Sequence, residues 1–374
     1  MIGQCLLRFT SYGAFDKDSI KGNFKNFEYE PKKWDETDVD IKILYCGVCA
    51  SDIHTASSGW GETDYPQVVG HELVGYAVRV GSEVKHVKVG DLVGVRAQND
   101  SCGECGQCTA HREPYCDNGQ VGTYAGVYKK GNGKGDKSYG GYANYHRAPG
   151  HFVLQIPKGL DPVSIYPRPA LAAPMLCGGV TVYSPLTQYG AGTTAKDVGI
   201  VGIGGLDFGL LFANALGANV TAISHSASKK ADAEKMGASR FIESGDGSDK
   251  NFAPYKRSLD LIVATTNDDK MPILGYLSLL RPGGNLILVG APEKPLPPLP
   301  AFPLILSNVH IGGSAIGSPN KIAEMLELAA TQKIHPWIVK RPLDSVNETI
   351  PEMVNKGARY RFVLVNEENG GKLD

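Results

Sequence analysis

Apolar and polar positions follow two different rhythms along this chain, and the change comes near residue 171. Between 39 and 95 the apolar residues gather in short runs broken by glycine, at 40–45, 74–80 and 91–95. Runs of that length, rich in Val, Ile and Tyr and bounded by turn residues, predict a β-rich region. Further on the runs become nearly continuous, at 198–201, 219–223, 259–263 and 285–289, with helical stretches between them. An unbroken apolar strand is one covered on both faces, so a parallel sheet with helices on each side is predicted. A proline-rich stretch at 292–303 interrupts this pattern, and a helix is predicted over 319–333. The lysine- and glycine-rich run 129–137 reads as a polar, mobile surface loop. The predicted fold class is therefore α/β: a β-rich domain over 1–172, a doubly wound parallel-sheet domain over 173–316, and a return to the first domain over 317–374.

Composition narrows the function. A chain of 374 residues has room for two full cores. Lys plus Arg total 38 against 39 Asp plus Glu, so the formal charge is −1 and no basic field speaks for nucleic acid or a membrane surface. The opening residues Met1 to Arg8 lack a long apolar core, no run approaches 18 unbroken apolar residues, and the closing Gly371-Lys372-Leu373-Asp374 matches no common address signal. A cytoplasmic, reducing location is expected, where thiolates hold metals more often than they form disulfides.

Four of the eight cysteines fall close together, as Cys102-Gly-Glu-Cys105-Gly-Gln-Cys108 and then Cys116. Two-residue spacers let neighbouring thiolates converge on one tetrahedral ion, and the longer gap lets a loop return to close the set. Four protein ligands leave no position for substrate, so this zinc holds structure. Two disulfides, or scattered buried thiols, are the alternatives.

The segment Gly202-Ile203-Gly204-Gly205-Leu206-Asp207 follows the predicted strand 198–201 and opens a helix running to about Leu216. At such a turn, backbone amides at a helix start receive a pyrophosphate. Where the next strand ends, an NAD-type site carries an acidic residue; here stand Ser224, His225 and Ser226, then Lys229. Hydroxyl and cationic donors suit the 2′-phosphate of NADP. Asp207 occupies the position of the third fingerprint glycine. At about 6 Å and an effective dielectric of about 20, its charge repels each pyrophosphate charge by roughly 3 kcal/mol. Turned outward, it would instead cap helix amides.

Upstream lie Cys46-Gly47-Val48-Cys49-Ala50-Ser51-Asp52-Ile53-His54 and Gly70-His71-Glu72, and before the glycine turn comes Pro174-Met175-Leu176-Cys177-Gly178-Gly179. Two thiolates and an imidazole make a three-ligand zinc with an open position, as a catalytic metal requires. With the quartet, with the run 176–185 and with Arg359-Tyr360-Arg361-Phe362, these motifs resemble the zinc-dependent medium-chain alcohol dehydrogenases. The similarity is to the cinnamyl alcohol dehydrogenase-like branch of fungal and plant NADP-dependent enzymes, and it runs from about residue 41 to 365.

The resemblance implies a GroES-like catalytic domain, a Rossmann cofactor domain, two zinc ions per chain, NADP(H) and a homodimer. Cys49, His71 and Cys177 would bind the catalytic zinc, with Glu72 beside it and Cys46 not a ligand. Ser51 would take the alcohol proton and pass it, by way of the cofactor ribose, toward His54. Thr181 would contact the cofactor near its nicotinamide, Thr265, Gly290, Ser314 and Ile316 would line its groove, and Arg361 would lie near its phosphates. Trp60, Tyr124, Leu306 and Ile316 are candidates for the substrate wall. Val121 stands near where the plant cinnamyl enzymes carry an aromatic residue, which favours a broader set of aliphatic and aromatic aldehydes. An ene-reductase that keeps both zinc sites, and a non-catalytic binding relative suggested by Asp207, are the competing readings.

Overall fold

The computed structural model describes residues 7–160, 169–205, 208–357 and 359–374. The chain divides into two compact units, Met1–Cys177 with Gly317–Asp374, and Gly178–Ile316.

The first unit is built on the strand Asp38–Gly47. It pairs antiparallel with Glu72–Val80, with Tyr145–Pro149 and with Arg361–Val365. Leu92–Val95 and Val153–Gln155 extend the sheet on one side, and Ile338–Pro342 adds a parallel strand at the other edge. Val39, Ile41, Ile43, Leu73, Val93 and Leu364 are buried in one cluster, so the short apolar runs supply the core that their spacing predicted. Gly47 lies opposite Glu72 and also opposite Val363, so three distant segments meet at the end of one strand. The helix Pro319–Thr331 is started by Ser318, whose side chain accepts from Lys321 N, with Pro319 at the first helical position.

The second unit holds a six-stranded sheet whose paired strands are all parallel. The spatial order is Arg240–Glu243, Asn219–Ser224, Asp197–Val201, Leu259–Ala264, Leu280–Leu288 and His310–Gly313. The chain winds outward from Asp197–Val201 in one direction and then, from Leu259–Ala264, in the other. That reversal is the doubly wound arrangement, and it opens a crevice at the carboxyl ends of the central strands. Val201, Ile223, Ile262, Leu286 and Phe252 fill the core.

One helical run, Pro169–Gln188, is 20 residues long and contains a window apolar enough, by length and composition, to cross a membrane. Its most apolar window is 83% buried inside the fold, which accounts for the apolar character without a bilayer. Pro174 ends its first α-helical piece, Pro169–Pro174, and a π-helical turn follows over Met175–Gly179 before α-helix resumes at Val180–Gln188. Proline lacks the amide that a regular turn needs, and π-turns collect at functional positions. Cys177 sits at the centre of this one.

Candidate active site and metal centres

In the first unit one ligand atom each from Cys49, His71, Glu72 and Cys177 lies within 4.8 Å of the others, and all four residues are buried. Local backbone explains how they meet. Cys49 ends the turn after Asp38–Gly47 and caps the helix Ala50–Ala56. Gly70, at φ 97°, brings His71 and Glu72 in from the other side; a Cβ there would lie 2.8 Å from Cys46 Sγ. Gly47 is required for the same reason of space, since a Cβ would stand 1.9 Å from Glu72 Oε2. Cys46 itself is buried in the strand, outside the cluster.

The donors fit a divalent metal. His71 Nε2 and Glu72 Oε2 are buried without a hydrogen-bond partner, an arrangement that costs free energy unless a cation completes it. The hydrogen bond from Cys177, and then the nearness of His71, hold Cys49 well below its ordinary value, a thiolate in character. The same pairing, with burial, pushes Cys177 up. Burial drives the Glu72 carboxyl up to about 7 against the pull of Arg361. Two thiols, an imidazole and a carboxylate are a donor set for zinc.

Neighbouring side chains support this cluster, and the sequence did not single out the first of them. Asp52 is fully buried; it accepts from Cys49 N at 2.8 Å, Gly70 N at 3.1 Å and Tyr142 Oη at 3.0 Å, and its Oδ1 lies 3.8 Å from His71 Nδ1. One carboxylate thus braces two ligand-bearing segments, the outer-shell role that fixes a ligating imidazole. The Tyr124 ring stacks on His71 at 5.3 Å between centroids. Arg361, expected near cofactor phosphates, is 3% exposed and donates to Glu72 Oε1. A buried guanidinium needs a carboxylate, and the register of Val363 against Gly47 delivers it to this one. Ser51 Oγ lies 3.5 Å from Cys49 Sγ. His54 follows three residues later on the same short helix, and its ring stacks on Trp60 at 4.6 Å. Val121 is buried, while Leu306 is exposed.

Cys102, Cys105, Cys108 and Cys116 form a second cluster within 4.8 Å. Their Sγ atoms stand 3.5 Å (Cys102 to Cys116), 3.8 Å (Cys102 to Cys108) and 4.0 Å (Cys105 to Cys116) apart. Arms of about 2.3 Å to a tetrahedral zinc place sulfurs about 3.8 Å apart, whereas a disulfide needs about 2 Å. All four thiols are free. Backbone N–H groups of Cys105, Cys102 and Asp117 point at the sulfurs of Cys102, Cys116 and Cys105, at 3.4–3.5 Å, which steadies thiolate charge.

In the second unit the expected cofactor residues lie at carboxyl ends of strands. Gly202 follows Asp197–Val201 at φ 87°, and its carbonyl accepts from Thr265 Oγ1 at 3.0 Å. A Cβ on Gly202 would meet that oxygen at 2.7 Å, and one on Gly290 would meet Thr266 O at 2.1 Å. Ser314 follows the last strand, with Oγ buried and unpartnered, and Ile316 stands at φ 39°. Ile203, Gly204 and Gly205 complete the described part of the turn; Leu206 and Asp207 lie outside the described residues. Close helix-to-strand packing is made by Gly209, where a Cβ would come within 2.9 Å of Ile200 Cγ2. The fingerprint pattern assigns that task to position 207. Ser224 ends its strand, His225 is exposed, Ser226 Oγ lies 2.9 Å from Ser228 Oγ, and Lys229 Nζ donates to the Ile203 carbonyl. Lys229 therefore already reaches the glycine turn. Thr181 is buried in the helix Val180–Gln188.

Residues 35–158 match the alcohol dehydrogenase GroES-like domain family, and residues 202–331 match the zinc-binding dehydrogenase family. The chain belongs to the zinc-binding medium-chain alcohol dehydrogenases, in the cinnamyl alcohol dehydrogenase-like branch. It is 43% identical over 356 residues to an 8-hydroxygeraniol dehydrogenase from Catharanthus roseus, covering 95% of this chain and 94% of that one. A solved cinnamyl alcohol dehydrogenase from Sorghum bicolor superposes with a TM-score of 0.88 at 34% identity, over 98% and 99% of the two chains. The CAD from Helicobacter pylori, solved complexed with NADP(H), gives 0.85 at 32% identity, over 97% and 99%. The β-rich unit of this dehydrogenase is thus GroES-like, and its parallel-sheet unit is a Rossmann fold.

Proposed function

We infer that this dehydrogenase interconverts a primary alcohol and its aldehyde with NADP(H), using two zinc ions per chain. The observation that carries the reading is the buried set Cys49, His71, Glu72 and Cys177, with two unpartnered donor atoms, inside a zinc-binding dehydrogenase fold. Cys49, His71 and Cys177, with Glu72 adjacent, would hold the catalytic ion, and Cys102, Cys105, Cys108 and Cys116 the structural one. When bound, the catalytic zinc supplies Lewis acidity at the substrate oxygen, and the nicotinamide supplies or accepts hydride at C4.

The chain's own residues do the rest. Asp52 holds the turn that bears Cys49 and the segment that bears His71, so the ligands are set before substrate arrives. Ser51 takes the alcohol proton on oxidation and returns it on reduction, and His54 on the same helix exchanges it with solvent. Gly202, Ile203, Gly204, Gly205 and the helix start take the pyrophosphate. Thr265, Gly290, Ser314 and Ile316 line the groove, and Thr181 meets the nicotinamide end. The orphaned Ser314 Oγ and the strained backbone of Ile316 support this placement. Ser224, His225, Ser226 and Lys229, with no carboxylate among them, favour the 2′-phosphate and hence NADP(H). The substrate class is that of aliphatic and aromatic primary alcohols, cinnamyl alcohols included.

A homodimer in the cytoplasm is the finer part of the proposal. On the helix Ala301–Ser307, Phe302, Ile305 and Leu306 are 71–75% exposed, directly before the edge strand His310–Gly313. An apolar helix beside a sheet edge suits a second copy. Seven free cysteines among the described residues favour a reducing compartment.

Cys49→Ser tests the central claim: zinc should fall from two to one per chain, and aldehyde reduction with NADPH should be lost. A variant that keeps both ions and full turnover would rule the assignment out.

A further inference from the structure

The loop 129–137 lies at the surface, as its composition predicts, and is tied down by hydrogen bonds that its composition does not announce. Asn132 N donates to Asp35 Oδ2 at 3.1 Å, and Asn132 Nδ2 donates to the Trp34 carbonyl at 3.0 Å. Lys33 N donates to Asp136 Oδ2 at 2.8 Å, while Tyr128 N meets the Asp136 carbonyl at 3.0 Å and Gly135 N meets the Tyr128 carbonyl at 2.9 Å. The loop is closed on itself and tied to the segment 33–35, so the residues at its start have a fixed platform.

Those residues are two consecutive lysines, and they reach opposite ends of the cysteine segment. Lys130 Nζ donates to the Ser101 carbonyl at 2.7 Å and lies 3.1 Å from Asp100 Oδ1, immediately before Cys102. Lys129 Nζ donates to the Asn118 carbonyl at 2.5 Å and reaches the Gly119 carbonyl at 3.4 Å, just after Cys116. Both ammonium groups lie close on the backbone: a Cβ at Gly103 would be 3.6 Å from Lys130 Nζ, and one at Gly119 would be 3.0 Å from Lys129 Nζ. Ser101, gripped by Lys130 through its carbonyl, has its Oγ 3.3 Å from Cys108 Sγ.

Four thiolates around one divalent ion carry a net charge of about −2. Lys130 shares its charge with Asp100, so the two lysines act through the carbonyls they hold. A metal leaves such a centre when the ends of its binding segment part and a competing ligand enters. We propose that Lys129 and Lys130 form a staple that holds residues 101 and 118–119 together and slows the escape of metal from the cysteine quartet. The staple rests on the reading of the quartet as a zinc centre.

The test uses the full chain with cobalt(II) exchanged for zinc, because a tetrathiolate cobalt centre has its own strong absorption, apart from that of the mixed-ligand site. Loss of that absorption after adding excess EDTA gives the release rate, and release of zinc from the native protein to a chromogenic chelator gives a second. Lys129→Ala combined with Lys130→Ala should lose the quartet's metal about tenfold faster, in keeping with two charge-assisted hydrogen bonds removed. Each single variant should fall between, the double Lys→Arg variant should stay near wild type, and Lys134→Ala, in the same loop, should be unchanged. Alanine variants that keep the wild-type circular dichroism and release metal at the wild-type rate would overturn the staple; should the double variant fail to fold, the single ones decide. Absence of tetrathiolate absorption in wild type would overturn the zinc reading itself, and the staple with it.

Discussion

Arg361 separates two accounts of the same residue, and one substitution discriminates between them. Arg361→Met keeps most of the stem and removes the charge. Arg361 is 3% exposed and Glu72 is fully buried, and the guanidinium donates directly to Glu72 Oε1. Two unit charges about 4 Å apart at an effective dielectric of about 20 attract by about 4 kcal/mol. Removing one partner of a buried pair costs about 3–5 kcal/mol, because the other charge is left without compensation. Arg361→Met is therefore expected to lose about 4 kcal/mol of folding stability. Adding Glu72→Gln removes the stranded charge, so the double variant should recover about half of that loss. Urea unfolding after the zinc is chelated, at about pH 9 where the Glu72 carboxyl, pushed up to about 7, is charged, measures both, with a metal count and an NADPH dissociation constant on the loaded protein. The phosphate contact implied by family resemblance forecasts the reverse: weakened NADPH binding and stability within about 0.5 kcal/mol of wild type. Stability unchanged in Arg361→Met, or a double-variant loss equal to the sum of the single losses, would refute the buried-pair account.

His146 is 2% exposed with Nε2 unpartnered, and burial holds its imidazole down at about 4. The unfolded chain takes up that proton near 6.5, so the penalty is absent above pH 6.5 and grows as pH falls toward 4, to about 3 kcal/mol. Stability of wild type relative to His146→Gln should decline across that window, and a constant difference would count against it. Gly47→Ala, with its new methyl driven against Glu72, should cost about 1–3 kcal/mol and release the zinc of the Cys49 cluster, read by metal analysis. Lys229→Ala should raise the KM for NADPH by about 10- to 100-fold through loss of a charged contact and leave the KM for NADH nearly unchanged. An equal effect on both cofactors would remove Lys229 from the 2′-phosphate site.

The parts of this protein that were legible in the sequence are those governed by local spacing. Three cysteines with two-residue spacers inside one glycine-rich turn, 102–108, converge, whereas Cys46, with the same spacer to Cys49 but inside a strand, does not. A glycine turn between an apolar strand and a helix declares itself, and strands buried on both faces must be apolar throughout. The missing carboxylate after Ser224 is likewise a matter of residue type at a counted position. Contacts between segments far apart in the chain could not be read in this way. That Arg361 meets Glu72, and that Asp52 reaches beyond its own helix start to Gly70 and Tyr142, depend on sheet register and helix placement. So does the order of loop 129–137, whose composition is that of a flexible linker, though its lysines find carbonyls at both ends of the cysteine segment. Sequence alone determined which chemistry the chain can offer, because donor type and short-range spacing are covalent facts. Tertiary structure decided which buried charges are paired and which segments are held still, because those energies depend on neighbours that the backbone brings together only on folding.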